Sequence, residues 1–374
     1  MPKTIHLSGI RLHWVQVPLH EPFKISNGEV SVKDAILVEL LGADGTVGWG
    51  EASPMGGSFY SAETPDSTWE FLCGKAVTGL LERSLPEADK CFDWLAEFPG
   101  EPFAKAGVEG AVWDFWASQA RVPLYELLGG SRRPVPSGAA IGLMPTIDQL
   151  LDRVDIFLRQ GYRRIKIKIM PGHDVELVRA VRKRFGDIPL MVDANAAYSL
   201  ADAAIFEELD NHSLMMIEQP LGRKALAEHA ELQRRLQTPI CIDESAEDLE
   251  SIATAIRLGS AKIINIKVQR MGGLVPGRRA HDAAQAAGIP CWMGTMPELG
   301  VASAQALHLA TLGNFTFPAD VEASARWFKD DIIEPPIEIS GEGFIQLPEG
   351  AGMGYRVDMK KVERYRVRFE EFLP

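Results

Sequence analysis

The sequence lacks the features of nucleic-acid-binding and membrane proteins. Its 39 Lys and Arg residues stand against 51 Asp and Glu, a formal net charge of −12. Proteins that bind nucleic acids need basic clusters on one face, so we expect no nucleic-acid partner. No window approaches the roughly 18 uninterrupted apolar residues of a membrane helix, and the N-terminus lacks an apolar signal-peptide core. We therefore expect a cytoplasmic protein with no membrane partner.

Cysteine is also scarce. Cys73, Cys91, Cys241 and Cys291 show no CxxC pattern and no metal-ligand spacing. Isolated cysteines of this kind are usually small buried hydrophobes in proteins without disulfides. We expect reduced thiols that serve in packing.

The chain divides into three parts. Residues 1–125 contain strand-rich segments, a Gly-Ala-Asp-Gly turn at 42–45, and helical apolar spacing, which predict an α+β domain. Residues 126–325 show eight short apolar segments that alternate with helical stretches, the pattern of parallel βα units. Eight units favour a closed (β/α)8-type TIM barrel, an α/β fold. We expect residues 326–374, rich in Gly and Pro, to pack back on the first domain.

Charged residues recur at the ends of the predicted barrel strands. Lys168, Asp193, Glu218, Asp243 and Lys267 each end or follow an apolar run, at intervals of 25, 25, 25 and 24 residues. Each interval is one βα repeat, so the five side chains decorate the same layer of the barrel. That layer lies near the carboxyl ends of the strands, where barrel enzymes place their chemistry.

The three carboxylates predict a metal site. Buried carboxylates are rare unless they are paired or bind a metal, and Asp193, Glu218 and Asp243 on consecutive strands would repel one another without a cation. Oxygen ligands suit a hard divalent ion, and Mg²⁺ leaves positions open for water and substrate. Unrelated helix caps or surface acids remain the alternative.

The lysines predict proton transfer. In "RRIKIKIMPG" (163–172) the isoleucines share one strand face, and Lys166 and Lys168 share the other. Strands two and six of an eight-stranded barrel are opposite, so Lys168 and Lys267 would face each other across a metal-held substrate. This arrangement suits proton removal or addition on either face of one carbon next to a carboxylate. Lys166 and the metal would lower the pKa of Lys168.

This order of residues resembles the enolase superfamily, in particular its muconate-lactonizing-enzyme subgroup. The segments "GYRRIKIKIMPGHD", "VDANAAY", "IEQPL" and "NIKVQRMGG" resemble those of o-succinylbenzoate synthases and N-acylamino acid (N-succinylamino acid) racemases. The resemblance covers nearly the whole chain, including "PFKISNGEV" and "GWGEASP". It implies that the first domain caps the barrel and that two loops, at about residues 19–28 and 51–61, close over the substrate.

The resemblance also implies roles by position. Lys168 and Lys267 resemble the acid/base pair, and Lys166 resembles a supporting lysine. Metal ligation by Asp193, Glu218 and Asp243 implies Mg²⁺, for which Mn²⁺ or Co²⁺ can substitute. We expect a small-molecule carboxylate substrate and a homo-oligomer. The expected substrate-binding residues are Asn195, Gly294, Thr295, Met296 and Glu298.

Two departures bear on the substrate. After strand seven the family usually shows Gly-Gly-Met followed by Glu, whereas this chain places Thr295 and Pro297 around Met296. The strand-eight segment retains Asp320 but lacks the Asp-x-Asp of dipeptide epimerases. No histidine follows strand seven, which argues against the mandelate-racemase subgroup.

Two reactions are consistent with these residues. One is syn-dehydration of a cyclohexadiene carboxylate to o-succinylbenzoate, a step of menaquinone biosynthesis, and the other is racemisation of an N-succinylamino acid. Both begin with the same α-proton abstraction. The alternatives are a cycloisomerase or dipeptide epimerase of the same subgroup, a Schiff-base lysine aldolase, and a catalytically inactive scaffold barrel.

Overall fold

The computed structural model describes residues 7–25, 28–56, 61–82 and 87–374. The strands are β1 Leu7–Ile25, β2 Gly28–Gly42, β3 Val47–Ala52, β4 Val135–Pro136, β5 Ala139–Ile141, β6 Ile165–Lys168, β7 Leu190–Asp193, β8 Ile217–Glu218, β9 Ile240–Ile242, β10 Ile263–Ile266, β11 Cys291–Met293, β12 Ile333–Glu334, β13 Phe344–Ile345, β14 Arg356–Val357 and β15 Arg366–Phe372.

The helices follow the same order. They are α1 Pro65–Phe71, α2 Val77–Leu81, α3 Asp89–Leu95, α4 Pro102–Ala120, α5 Leu124–Leu127, α6 Ile147–Arg159, α7 Val175–Phe185, α8 Ala203–Leu209, α9 Leu226–Arg235, α10 Leu249–Leu258, α11 Val268–Met271, α12 Leu274–Ala286, α13 Gly300–Leu309, α14 Ser324–Trp327 and α15 Met359–Tyr365. In the part of the chain that the structure describes, no helix has the length and apolar character needed to cross a bilayer.

An antiparallel sheet in the order β15-β1-β2-β3 forms the centre of the capping domain. Helix α4 packs closely against β3, because glycines on both elements remove the side chains between them. A Cβ atom at Gly50 would lie 1.9 Å from the Gly107 carbonyl oxygen. The predicted hairpin turn joins β2 to β3, with the Gly45 amide donating to the Gly42 carbonyl at 3.0 Å.

The barrel sheet runs in the order β11-β10-β9-β8-β7-β6-β5, and its paired strands are parallel. All four residues of β6 are buried. Thus the lysine face of β6 is as enclosed as the isoleucine face, which differs from the exposed two-faced strand that its alternation would also allow. The predicted (β/α)8-type barrel with an α+β capping domain is confirmed.

The eighth barrel segment is irregular. Phe315 bridges Cys291 of β11, and Ala319 bridges Ser137 next to β5, so residues 315–319 close the barrel without forming a continuous strand. Pro318 interrupts this segment, and proline has no amide hydrogen to donate to a ladder. The segment predicted as the eighth strand therefore closes the barrel through two isolated bridges.

The last strand of the structure, β15, pairs with the first, β1. Strand β15 pairs antiparallel with β1, with Phe372 opposite Ile10 and Phe369 opposite His13. The sheet of the capping domain is thus built from both ends of the chain. The domain limits at residues 125 and 325 remain predictions.

Glu109 of α4 connects the capping domain to the barrel. Its carboxylate accepts the amide hydrogens of Leu274, at 2.6 Å, and Val275, at 2.8 Å, at the start of α12. Burial raises the pKa of Glu109 to about 7, although these donors oppose the rise. A carboxyl group from one domain thus caps a helix of the other.

This carboxyl group should make stability depend on pH. Because the pKa of Glu109 is higher in the folded protein than in the unfolded chain, its contribution is full at low pH and is lost as pH rises through about 7. Glu109→Gln cannot titrate. As pH rises from the ordinary pKa of a glutamate, about 4.3, to about 7, the free energy of unfolding of the parent should fall by up to about 3 kcal/mol more than that of the variant. Urea unfolding across pH measures this, and parallel profiles would contradict it.

Candidate active site

A row of charged side chains crosses the barrel strands. Lys168 at the end of β6 is in register with Asp193 on β7, and Asp193 is in register with Glu218 on β8. Asp243 and Lys267 follow β9 and β10 directly. All five side chains are buried, so the structure brings the predicted metal ligands and both predicted acid/base lysines to one end of the barrel.

Each of the two predicted acid/base lysines pairs with a carboxylate. Lys168 Nζ donates to Asp193 Oδ2 at 2.5 Å, and Lys267 Nζ donates to Asp243 Oδ2 at 2.9 Å. Arg270 Nη2 donates to the other oxygen of Asp243 at 2.5 Å. Burial acts to raise the pKa of Asp243, but the charges of Arg270 and Lys267 hold it below its ordinary value. Asp243 is therefore ionised at neutral pH.

Lys166 lies among three carboxylates. Its ammonium group donates to Asp320 Oδ2, and it lies 3.3 Å from Glu218 Oε2 and 3.8 Å from Asp193 Oδ2. Burial acts to lower the pKa of Lys166, but the three negative charges raise it above its ordinary value. Lys166 is thus a permanent cation beside the predicted metal ligands.

The two oxygens of Glu218 have different partners. Asn265 Nδ2 donates to its Oε1 at 2.8 Å, whereas Oε2 is buried and accepts no hydrogen bond from the described residues. Burial and the charge of Asp193 raise the pKa of Glu218 to about 8, although Lys166 opposes the rise. Oε2 faces the Lys166 ammonium as an ion pair without accepting its hydrogen bond, and a buried carboxylate with two acidic neighbours is suited to a cation.

The donor set fits a hard divalent cation, since every candidate ligand is a carboxylate oxygen. As the side chains lie, no group of three or more His, Cys, Asp or Glu among the described residues converges on one metal position. Lysine ammonium groups lie against all three carboxylates at the distances given above. Ligation by Asp193, Glu218 and Asp243 therefore remains a prediction that their chemistry supports.

The candidate catalytic cavity lies between the two domains. Lys166, Lys168, Asp193 and Lys267 border it together with residues from the capping domain and from the loops that follow the barrel strands. The other lining residues are Phe23, Met55, Ala140, Asn195, Thr295, Met296, Pro297, Asp320, Glu322 and Trp327. Phe23 and Met55 belong to the two segments predicted as loops that close over the substrate, but the structure places residues 19–25 in β1 and residues 51–52 in β3. Residues 26–27 and 57–60 of those loops lie outside the described residues.

The predicted substrate-binding residues divide into two groups. Asn195, Thr295 and Met296 line the cavity. Gly294 and Glu298 do not border it, and Glu298 Oε1 instead accepts the Met296 amide hydrogen at 3.2 Å. The Thr295 hydroxyl donates to the Asp320 carbonyl oxygen at 3.1 Å. The extra side chain of Thr295 is thus tied to the neighbouring segment rather than left free.

Sequence reasoning assigned no role to Arg164 or Glu322 here, and it noted Asp320 only as retained. Arg164 Nη2 donates to Asp320 Oδ1 at 2.6 Å, and Glu322 lines the cavity two residues further on. The guanidinium of Arg164 lies 5.1 Å from the ring centre of Trp292. One signal was available, since Asp320 ends the eighth apolar segment as Asp193 and Glu218 end theirs.

Gly294 should be intolerant of any side chain. A Cβ atom there would lie 2.0 Å from Asn265 Oδ1, and Asn265 in turn holds Glu218. Gly294→Ala should cost about 1–3 kcal/mol of stability through overpacking and should lower activity by displacing Glu218. Gly313→Ala is the control, because a Cβ atom at Gly313 would lie within 4 Å of no described residue beyond its chain neighbours. Equal urea midpoints for the two variants would refute the expectation.

Comparisons with known proteins agree on one family. The profile described as mandelate racemase/muconate lactonizing enzyme, N-terminal domain, matches residues 8–129, and the one described as enolase C-terminal domain-like matches residues 149–361. The chain is 43% identical over 362 residues to an o-succinylbenzoate synthase of Geobacillus kaustophilus, covering 97% of this chain and 96% of the relative.

A second relative carries a different activity. The chain is 46% identical over 349 residues to an N-succinylamino acid racemase of an Amycolatopsis species, covering 93% of this chain and 94% of the relative. A solved structure of an enolase-superfamily member from Listeria innocua superposes with a TM-score of 0.94 at 35% identity, covering 99% of both chains.

Proposed function

Because the chain belongs to the mandelate racemase/muconate lactonizing enzyme family of the enolase superfamily, we propose that it abstracts the α-proton of a small carboxylate substrate. The reaction is o-succinylbenzoate synthesis, N-succinylamino acid racemisation, or both. Relatives with either activity are similar to this chain over nearly its whole length, at 43% and 46% identity.

The observation that carries the proposal is the placement of Lys168 and Lys267. Both border one cavity, and three strands, β7 to β9, separate β6 from β10 in the barrel sheet. In a closed eight-stranded barrel that separation puts the two amines on opposite sides. A carbon held between them can lose a proton to one amine and gain a proton from the other.

The carboxylates of Asp193, Glu218 and Asp243 would hold the divalent cation, Mg²⁺ or, in its place, Mn²⁺ or Co²⁺. When bound, the cation supplies positive charge that stabilises the enolate formed from the substrate carboxylate. Lys166, paired with Asp320, adds a fixed positive charge beside these ligands. Arg270 and Lys267 keep Asp243 ionised, which its role as a ligand requires.

The chain's residues can perform both reactions. In racemisation, Lys168 Nζ takes the Cα proton of one enantiomer and Lys267 Nζ delivers a proton to the opposite face, with the roles exchanged for the other enantiomer. In dehydration, Lys168 Nζ takes the Cα proton and returns it to the departing hydroxyl on the same side, which leaves as water. The Lys267 ammonium then serves as a charge opposite the enolate.

Proton NMR in D₂O with added Mg²⁺ tests the proposal. N-succinylamino acids and the cyclohexadiene precursor of o-succinylbenzoate are supplied in parallel. Loss of the α-proton signal together with loss of optical activity establishes the racemase, and appearance of the aromatic product establishes the synthase. Borohydride trapping of a substrate on Lys267 would instead indicate a Schiff-base enzyme, and no exchange with any candidate substrate would refute the proposal.

A further inference from the structure

Glu322 is a buried glutamate in the catalytic cavity. It follows the segment that closes the barrel and lines the same cavity as Lys168 and Lys267. The side chain is fixed on one side, because its Oε1 accepts the Ala140 amide hydrogen at 2.8 Å. One of its two oxygens is therefore committed to the barrel wall.

The other oxygen has acceptor capacity to spare. Oε2 is buried and accepts no hydrogen bond from the residues that the structure describes. Arg326 Nε lies 3.2 Å away as an ion pair, but it is not oriented to donate a hydrogen bond. Burial raises the pKa of Glu322 to about 7, although Arg326 opposes the rise. Buried acceptors in native proteins are nearly always satisfied, so this oxygen is suited to a donor from a bound molecule.

Arg326 packs among aromatic and acidic side chains. Its guanidinium lies 4.3 Å from the ring centre of Trp327 and 5.1 Å from that of Phe157, and its Nη1 lies 3.6 Å from Glu21 Oε1. The guanidinium packs against both aromatic rings. Arg326 thus neutralises the charge of Glu322 without satisfying its lone pairs.

From this geometry we infer that Glu322 Oε2 accepts the amide N–H of an N-acylamino acid substrate. The inference rests on the proposed function, because it places the substrate's α-carbon between Lys168 and Lys267 in the cavity that Glu322 lines. Since Arg326 already balances the carboxylate charge, a neutral amide donor suits the site better than an ammonium group. Glu322 is then a specificity residue that distinguishes the two proposed reactions.

The distinction follows from the substrates themselves. Both substrates have an acidic carbon next to a carboxylate. Only in the N-acylamino acid is that carbon bonded to an amide nitrogen that carries a hydrogen. The cyclohexadiene substrate of the synthase reaction has no N–H donor, and its departing hydroxyl is on the Lys168 side of the ring, so it offers Oε2 no equivalent donor. Glu322 should therefore contribute to racemisation and not to dehydration.

Glu322→Gln is the first test, assayed on both substrates above the pKa of Glu322. The Gln carbonyl takes over the Ala140 amide hydrogen, so its NH₂ group opposes the substrate N–H at the former Oε2 position. We expect kcat/KM for racemisation to fall about 10- to 100-fold, the loss of a hydrogen bond to a charged acceptor, while dehydration changes by less than about threefold. Glu109→Gln, a buried Glu-to-Gln change outside the cavity, should leave the ratio of the two activities unchanged.

An ester analogue provides the second test. The O-succinyl-2-hydroxy acid replaces the amide N–H with oxygen and keeps the shape of the substrate. The parent protein should exchange the α-proton of the amide more efficiently than that of the ester, and Glu322→Gln should reduce this preference about 10-fold or more. N-terminal ammonium substrates such as dipeptides should not be preferred over the N-succinyl compound.

The outcomes separate this inference from the proposed function. If the parent acts on both substrates and Glu322→Gln lowers both equally, or neither, the inference is overturned and the proposed function stands. If the parent only dehydrates, the inference is likewise overturned. If the parent acts on neither substrate, the inference and the proposed function are both overturned. Circular dichroism and urea midpoints of the variants confirm that each comparison is made between folded proteins.

Discussion

Replacing Lys168 with alanine is expected to lower kcat about 10²- to 10⁴-fold for whichever reaction the protein performs, since this range is typical of losing a general base. Lys168, whose amine pairs with Asp193 at the cavity, is the only group assigned to take the first proton in dehydration. In racemisation it is one of two such groups. The loss should appear in both substrate series. Retention of full turnover would eliminate Lys168 as the base.

Lys267→Ala should separate the two reactions. Racemisation should be lost, yet exchange of the α-proton with D₂O should persist for the one enantiomer whose proton faces Lys168. Lys168→Ala should show the opposite stereochemical preference. If both variants exchanged the same enantiomer, the two amines would not lie on opposite sides of the substrate. Urea midpoints close to that of the parent establish that the side-chain losses have not unfolded the barrel.

Replacing Glu218 with glutamine should abolish activation by Mg²⁺. The change removes one of three predicted anionic ligands, and a metal contribution of several kcal/mol corresponds to a rate loss of about 10²- to 10⁴-fold. Calorimetric titration with Mg²⁺ should show a matching loss of affinity. In a chelating buffer the variant should unfold no earlier than the parent, because burial and the charge of Asp193 already raise the pKa of Glu218 to about 8 and make its ionised form costly there.

Glu109→Gln again provides the control for this experiment, since it is a buried Glu-to-Gln change at the join between the domains. It should leave Mg²⁺ affinity and turnover unaltered. Full Mg²⁺ affinity in Glu218→Gln would remove Glu218 from the ligand set and would favour another carboxylate, such as Glu244, whose Oε2 also accepts no hydrogen bond from the residues described.

The arrangement of the site along the barrel could be predicted because it repeats with the fold. Each βα unit returns the chain to the same end of the barrel. Successive members of the set that begins with Lys168 and ends with Lys267 are about 25 residues apart, which places five side chains in one layer. The buried row that joins Lys168, Asp193 and Glu218 matches that expectation. The chemical roles of these residues remain predictions.

The partners of these residues could not be predicted from local patterns. Lys166 binds Asp320, and Arg164 binds the same carboxylate, because barrel closure brings segments more than 150 residues apart into contact. The orientation of Glu322 has the same origin, since its partner Ala140 belongs to the first barrel strand. Sequence periodicity gives the layer in which a side chain lies, whereas the contacts between the first and last barrel segments decide which side chains it meets.

The pairing of β15 with β1 has a consequence for synthesis on the ribosome. Since β15 completes the sheet that contains β1, that sheet cannot be finished until residues 366–372 have left the ribosome. The barrel units, whose neighbours are close in sequence, can assemble earlier, because domains and local units tend to form as they emerge. Until β15 has paired, one edge of β1 is open to pairing with another chain, and an open edge favours aggregation.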